Sequence, residues 1–318
     1  MSAADEPLDE FGQIARLYRP LTRGAPEAFD LLDDAAAIPS RPGQDLVITK
    51  DAMVEGVHFL AGEAPGLIAR KLLRVNLSDL AAKGAEPYGY FLAVAWPKGF
   101  GLDQREVFAE GLKVDGEAFG LSLLGGDTVS TPGPMTLSLT MLGWTPSGRM
   151  VRRAGARAGD LLMVSGTIGD GWLGLLAARK EIPDPDGYLA GRYRLPSPRI
   201  ELALGLREHA SAAADVSDGL IADAGHIAKA SGLGLSIDLA KLPLSPAAST
   251  WLARQPDRIR ALRDLASGGD DYEIVCTAPP DAARALGLTV IGQVEGEGIR
   301  VLVDGNPIDP GPGGWRHA

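Results

Sequence analysis

Residues 215–230, DVSDGLIADAGHIAKA, set two carboxylates and a glycine just ahead of an apolar-periodic helix read over 219–230. Ser and Asp before a helix commonly cap its free N–H groups, so Ser217 and Asp218 are read as the cap, and the helix start points at whatever binds there. Five more acidic clusters sit beside element ends or turns: Asp33-Asp34, Asp51 after a strand at 45–49, Asp79 in NLSDLAAKGA, Asp127 in GGDT, and Asp270-Asp271 in SGGDDYE. Gly-Gly pairs at 125–126 and 268–269 let the backbone approach a ligand closely. Taken singly, each cluster is an ordinary cap or turn. Taken together, so many carboxylates cannot all ionise in one cleft without cations or raised pKa values. Carboxylates beside phosphates are the usual way of holding magnesium.

The rest of the chain is consistent with such a role. It has 318 residues with a net charge of −10, and its acidic residues are 26 Asp against 15 Glu. Asp suits caps, turns and hard-cation sites better than helix surfaces. The negative balance, with no basic stripe, disfavours nucleic acid as the main partner. No apolar run is long enough to span a membrane. Residues 1–20 are acidic and lack a basic segment before an apolar stretch, which points to the cytoplasm. The one cysteine, Cys276, can form neither an internal disulfide nor a thiolate cluster.

Periodicity predicts helices at 8–18, 66–83 and 103–119 and strands at 45–49, 89–95, 121–124 and 136–143 in a mixed first half. In the second half it predicts strands at 159–165, 234–239, 272–277 and 288–294, helices at 172–180, 198–210 and 219–230, and a loop over 183–198. The turn-rich, arginine-rich stretch 145–158 is the expected boundary, giving domains 1–147 and 148–318. Neither a Walker GxxxxGK[ST] loop nor kinase HRD and DFG signatures occur, so ATP would be held through magnesium bridges. His58 lies seven residues past Asp51 and could face the same cleft; Arg152 and Arg153 are surface charges or a bidentate phosphate grip.

The ordered series LLDDAAAI, TKDAMVEGVHF, NLSDLAAKGAEP, LLGGDT, RRAGARAGD, DVSDGL, ASGLG and SGGDDYE resembles the thiamine-monophosphate kinase family. That family sits in the superfamily of aminoimidazole-ribonucleotide synthetase and selenophosphate synthetase. The resemblance runs from about residue 10 to Trp315. It implies a two-domain α+β / α/β fold: an N-terminal domain that binds ATP and magnesium and dimerises through its sheet into a shared β-barrel, and a C-terminal α/β domain that completes the active site. It implies ATP-dependent phosphorylation of thiamine monophosphate to thiamine diphosphate by a homodimer, with several Mg²⁺ ions. Carried over by motif, Asp34, Thr49, Asp51, Asp79, Asp127, Asp215 and Asp218 would be magnesium ligands. Gly126, Asp127, Arg153 and Ser217 would meet ATP, and His58, Asp270 and Trp315 the thiamine phosphate. Trp315 would cover the thiazolium cation by stacking, an effect of ~0.5–2 kcal/mol.

The chemistry is coherent. A phosphate acceptor is already ionised near neutral pH, so no general base is required, and the task is to bring two polyanions together. Four positions depart from the family: Leu32 for Gly, Lys50 for Thr, Lys83 for Met and Asp270 for Glu. Lys50 either points to solvent or replaces a metal contact with an ammonium on a phosphate oxygen. Selenophosphate synthetase would bring a Cys or selenocysteine near the N-terminus, and the hydrogenase-maturation member a C-terminal Cys; this sequence has neither. The remaining alternatives are an aminoimidazole-ribonucleotide-synthetase-like enzyme and a non-catalytic nucleotide or thiamine-phosphate sensor.

Overall fold

The computed structural model describes residues 9–311 and Gly314. The chain divides into two compact units, one of residues 1–76 and 87–144, the other of residues 77–86 and 145–318.

The first unit begins with the short α1 (Glu10–Gln13). It then contributes β1 (Gln44–Val54), most of α2 (Pro65–Ala82), β2 (Glu86–Pro97), α3 (Leu102–Phe119), β3 (Ser122–Thr131) and β4 (Thr136–Pro146). The strands form a sheet in the order β1-β4-β2-β3, so β1 and β3 are its two edges. One face is buried through Tyr90, Leu92, Val94 and Trp96 of β2 and Leu137, Leu139 and Met141 of β4. Trp96 meets Phe108 of α3 edge-on at 5.2 Å, which places α3 on that face. Behind it, the buried carboxylate of Asp115 is held by Arg70 at 3.0 Å and Arg74 at 2.6 Å. The alternate residues leave apolar side chains open: Ile48 is 59% exposed and Val129 51%.

The second unit is a seven-stranded sheet in the order β11-β10-β7-β9-β5-β8-β6. Its strands are β5 (Leu161–Val164), β6 (Ala212–Asp215), β7 (Leu235–Asp238), β8 (Ile274–Ala278), β9 (Thr289–Val294), β10 (Ile299–Val303) and β11 (Asn306–Ile308). Its helices are α4 (Asp170–Ala178), α5 (Tyr188–Arg194), α6 (Ala203–His209), α7 (Leu220–Ser231), α8 (Pro246–Leu252), α9 (Arg258–Ser267) and α10 (Pro280–Leu286). Strand alternation feeds two cores. Leu162, Val164, Val275 and Ile291 pack with Leu220, Ile227 and Leu262, while Met163, Ile274 and Cys276 pack with Leu206, Ala283 and Leu286. Helices therefore cover both faces.

Several expectations change. Asp51 lies inside β1 and Asp127 inside β3, because both edge strands run well past the apolar stretches that announce them. The expected loop 183–198 contains α5. The first unit's sheet in one chain is open, with four strands; the barrel expected from two chains is not tested by a single chain.

Candidate active site

In the first unit, β3 and the segment 11–36 enclose a cavity of about 530 Å³. Asp33, Asp34, Gly126 and Asp127 line it beside the apolar side chains Phe91, Leu92 and Leu124. Gly126 has a structural reason of its own: a Cβ there would stand 1.9 Å from the Leu92 carbonyl oxygen of β2. The glycine thus serves the β2–β3 pairing and also lines the cavity.

Thr49 and Asp51 are on β1, at the other edge of the sheet. Three strand spacings of ~4.8 Å put them roughly 14 Å from β3. They share the side of buried Val47 and Met53, whereas Lys50 shares the exposed side of Leu46 and Ile48 and donates to Ser138 Oγ on β4. Consecutive strand residues face opposite ways, so Lys50 does not stand where Thr49 and Asp51 stand. His58 lies in the turn after β1, where its Nδ1 accepts the Val54 N–H at 3.0 Å and its carbonyl accepts from Lys71 at 3.2 Å.

In the second unit Asp215, Ser217, Asp218 and Asp270 sit on two segments joined by main-chain bonds. The Asp270 N–H donates to Ser217 O at 2.9 Å, the Tyr272 N–H to Val216 O at 2.8 Å, and the Val216 N–H to Glu273 O at 2.7 Å. The two loops touch so closely that a Cβ on Gly269 would come within 2.6 Å of Ser217 O. Asp270 and Tyr272 take the left-handed conformation, with φ of 60° and 52°. Such strain in non-glycine residues persists only where the surroundings impose it. Asp271 imposes it here: fully buried, it accepts the Gly169 and Gly171 N–H groups, each at 2.8 Å. Burial pushes its carboxyl up to about 8, against the pull of those two N–H groups and of Arg192. Glu273, also buried, is gripped by Arg192 at 2.9 Å and by Arg199 and Ser165, each at 2.6 Å.

Ser217 and Asp218 do not cap α7. Asp223, in its first turn, reaches back and accepts the N–H groups of Ser217 at 3.0 Å and Asp218 at 3.1 Å. Asp218's own carboxylate is thereby left for other work. Burial, and then the charge of Asp218, push Asp223 up to about 7. Asp218, Asp223 and His226 present ligand atoms within 4.8 Å of one another. The sequence signal for Asp223 was its place four residues after Gly219, in the first turn of α7. Arg153 is exposed and acts on both Asp223 and Lys83. Trp315 lies outside the described residues.

Known proteins share the two-domain fold. Family models for the AIR synthase related protein match its N-terminal domain at residues 32–145 and its C-terminal domain at residues 157–304. Thiamine-monophosphate kinase of Caulobacter vibrioides is 60% identical, covering 99% of this chain and 92% of the relative. The crystal structure of thiamine-monophosphate kinase from Stenotrophomonas maltophilia is 38% identical, covers 95% of this chain and 98% of its own, and superposes with a TM-score of 0.82. AaThiL complexed with AMPPCP and TMP is 33% identical, covers 99% of this chain and 100% of its own, and gives 0.78. The chain belongs to the thiamine-monophosphate kinase family of the AIR synthase related proteins.

Proposed function

We propose that the protein transfers the γ-phosphoryl group of ATP to thiamine monophosphate, giving thiamine diphosphate and ADP. The observation that carries this reading is the 60% identity to a thiamine-monophosphate kinase over nearly the whole chain. A relative whose solved structure holds AMPPCP and TMP supports it.

In this reading the cavity along β3 receives the nucleotide, its apolar wall taking the base, and Asp34 and Asp127 would hold magnesium that screens the phosphates. Thr49 and Asp51 on β1 are the further ligands the first unit would offer, and Asp79, Asp215 and Asp218 those of the second unit. The donors are almost all hard oxygens, which fits magnesium. When bound, magnesium offsets the repulsion between two polyanions and withdraws charge from the transferring group. Arg153 and Ser217 steady ATP, and His58 and Asp270 the acceptor. No side chain is needed as a base, in keeping with His58 Nδ1 accepting a main-chain N–H. Asp270 reaches about one methylene less far than the family's Glu. Its short side chain suits the left-handed backbone there better than a longer one would.

The working unit is a homodimer built on the first unit's sheet, closing a shared β-barrel. The open sheet face with Leu46, Ile48 and Val129 supports this, because a small domain rarely leaves such a face bare.

The reading is tested by supplying ATP with thiamine monophosphate, thiamine, or an aminoimidazole-ribonucleotide precursor, and following ADP and thiamine diphosphate. Equal amounts of both products with thiamine monophosphate alone are expected. ADP formed only with the aminoimidazole precursor would favour the synthetase, and binding without ADP would favour a sensor.

A further inference from the structure

Lys83 places its amino group between the turn of Asp79 and the strand of Asp215 in the second unit. Its N–H donates to Asp79 O at 3.0 Å, so the helical turn of α2 continues to Lys83 and the two side chains stand one turn apart on the same face. Its Nζ donates to Ala213 O on β6 at 2.9 Å, two residues before Asp215. Its carbonyl accepts the Val151 N–H at 3.1 Å, which ties the backbone in place as well. The side chain is therefore anchored at both ends between the Asp79 turn and the Asp215 strand.

Burial lowers the Lys83 pKa, while Asp215 and Asp79 raise it and Arg153 lowers it. Among the charges that act on it, Asp215 weighs most, followed by Arg153 and Asp79. Lys50, the other lysine at a position where the family differs, bonds to Ser138 on the exposed side of β1.

We infer that Lys83 is a built-in counter-charge for Asp79 and Asp215, supplying part of the positive charge that a divalent cation would otherwise bring to these two carboxylates. An ammonium cannot be a ligand and repels a cation nearby, so the pair holds a divalent ion less tightly than it would alone. The inference rests on the proposed metal role of Asp79 and Asp215.

The test is Mn²⁺ binding to the nucleotide-free protein, read by the EPR signal of the free ion, for wild type, Lys83→Met, Lys83→Gln and Asp79→Asn. Gln keeps a neutral N–H donor, one bond shorter than the lysine; Met removes both donor and charge. Both Lys83 variants are expected to bind Mn²⁺ at least about fivefold more tightly than wild type. They should also reach half-maximal turnover at correspondingly lower Mg²⁺. Isotherms for wild type and both variants that coincide, while Asp79→Asn binds more weakly, would overturn the inference and leave the metal reading standing. A change in Lys83→Met alone would overturn it too, assigning the effect to the hydrogen bond. If Asp79→Asn also binds as wild type does, the carboxylate is not a ligand and both readings fall.

Discussion

Asp51 and Asp218 are half-buried carboxylates on different units, and in the proposed reaction each holds a cation. Replacing either with Asn keeps the shape and removes the charge. Each substitution is expected to lower kcat by at least ~100-fold, about 2.7 kcal/mol of barrier, with the thermal transition nearly unchanged. Retention of more than about a tenth of the activity in both would refute their role as ligands. Lys50→Thr is expected to leave turnover against free Mg²⁺ superimposable on wild type, since Lys50 and Asp51 face opposite sides of β1. The motif residues themselves were legible because Asp, Gly and Ser cluster in short strings. Direction was not. Whether Lys50 or Lys83 reaches the carboxylates depends on strand parity and on where β6 runs, and neither is written in the local string. Asp223 was hidden because an Asp in a first helical turn is common, and only the fold shows which N–H groups it accepts.

Elements with a strong period were readable: α2, α3 and α7 lie within a few residues of the predicted spans. Elements shaped by packing were not. β6 is AAAD, whose alanines favour helix in isolation, and only its place beside β8 makes it a strand. α5 is seven residues long, between Pro183, Pro185 and Pro196, so breakers mask its period. β1 and β3 continue through polar residues that the sheet edge admits. The loop carrying Asp270 makes a further prediction through Asp271. Its folded pKa of about 8 lies above the ordinary 3.8, so the native protein keeps a proton that the unfolded chain loses. The stability this group contributes is whole below the lower value and is lost as pH rises toward the upper one. Melting temperatures of wild type are therefore expected to fall more steeply than those of Asp271→Asn between pH 5 and 8. Parallel curves would show Asp271 already ionised in the fold.

At the scale of the molecule, the two matching domain models and the two compact units divide the chain near residue 145, except that residues 77–86 of the N-terminal match pack with the second unit. The open apolar face of the first sheet is the feature that a single copy leaves unexplained. Light scattering at micromolar concentration is expected to give the mass of two chains, 33.2 kDa each. A charge placed on that face, as in Ile48→Asp, is expected to yield monomers, and a wild-type monomer would contradict the dimer. The central claim is that carboxylates work here through divalent cations and not as a base. The most direct measurement is thiamine diphosphate formation from ATP and thiamine monophosphate after exhaustive chelation, then during Mg²⁺ re-addition. The account predicts no product without the metal and full recovery with it; undiminished product in the chelated enzyme would contradict it.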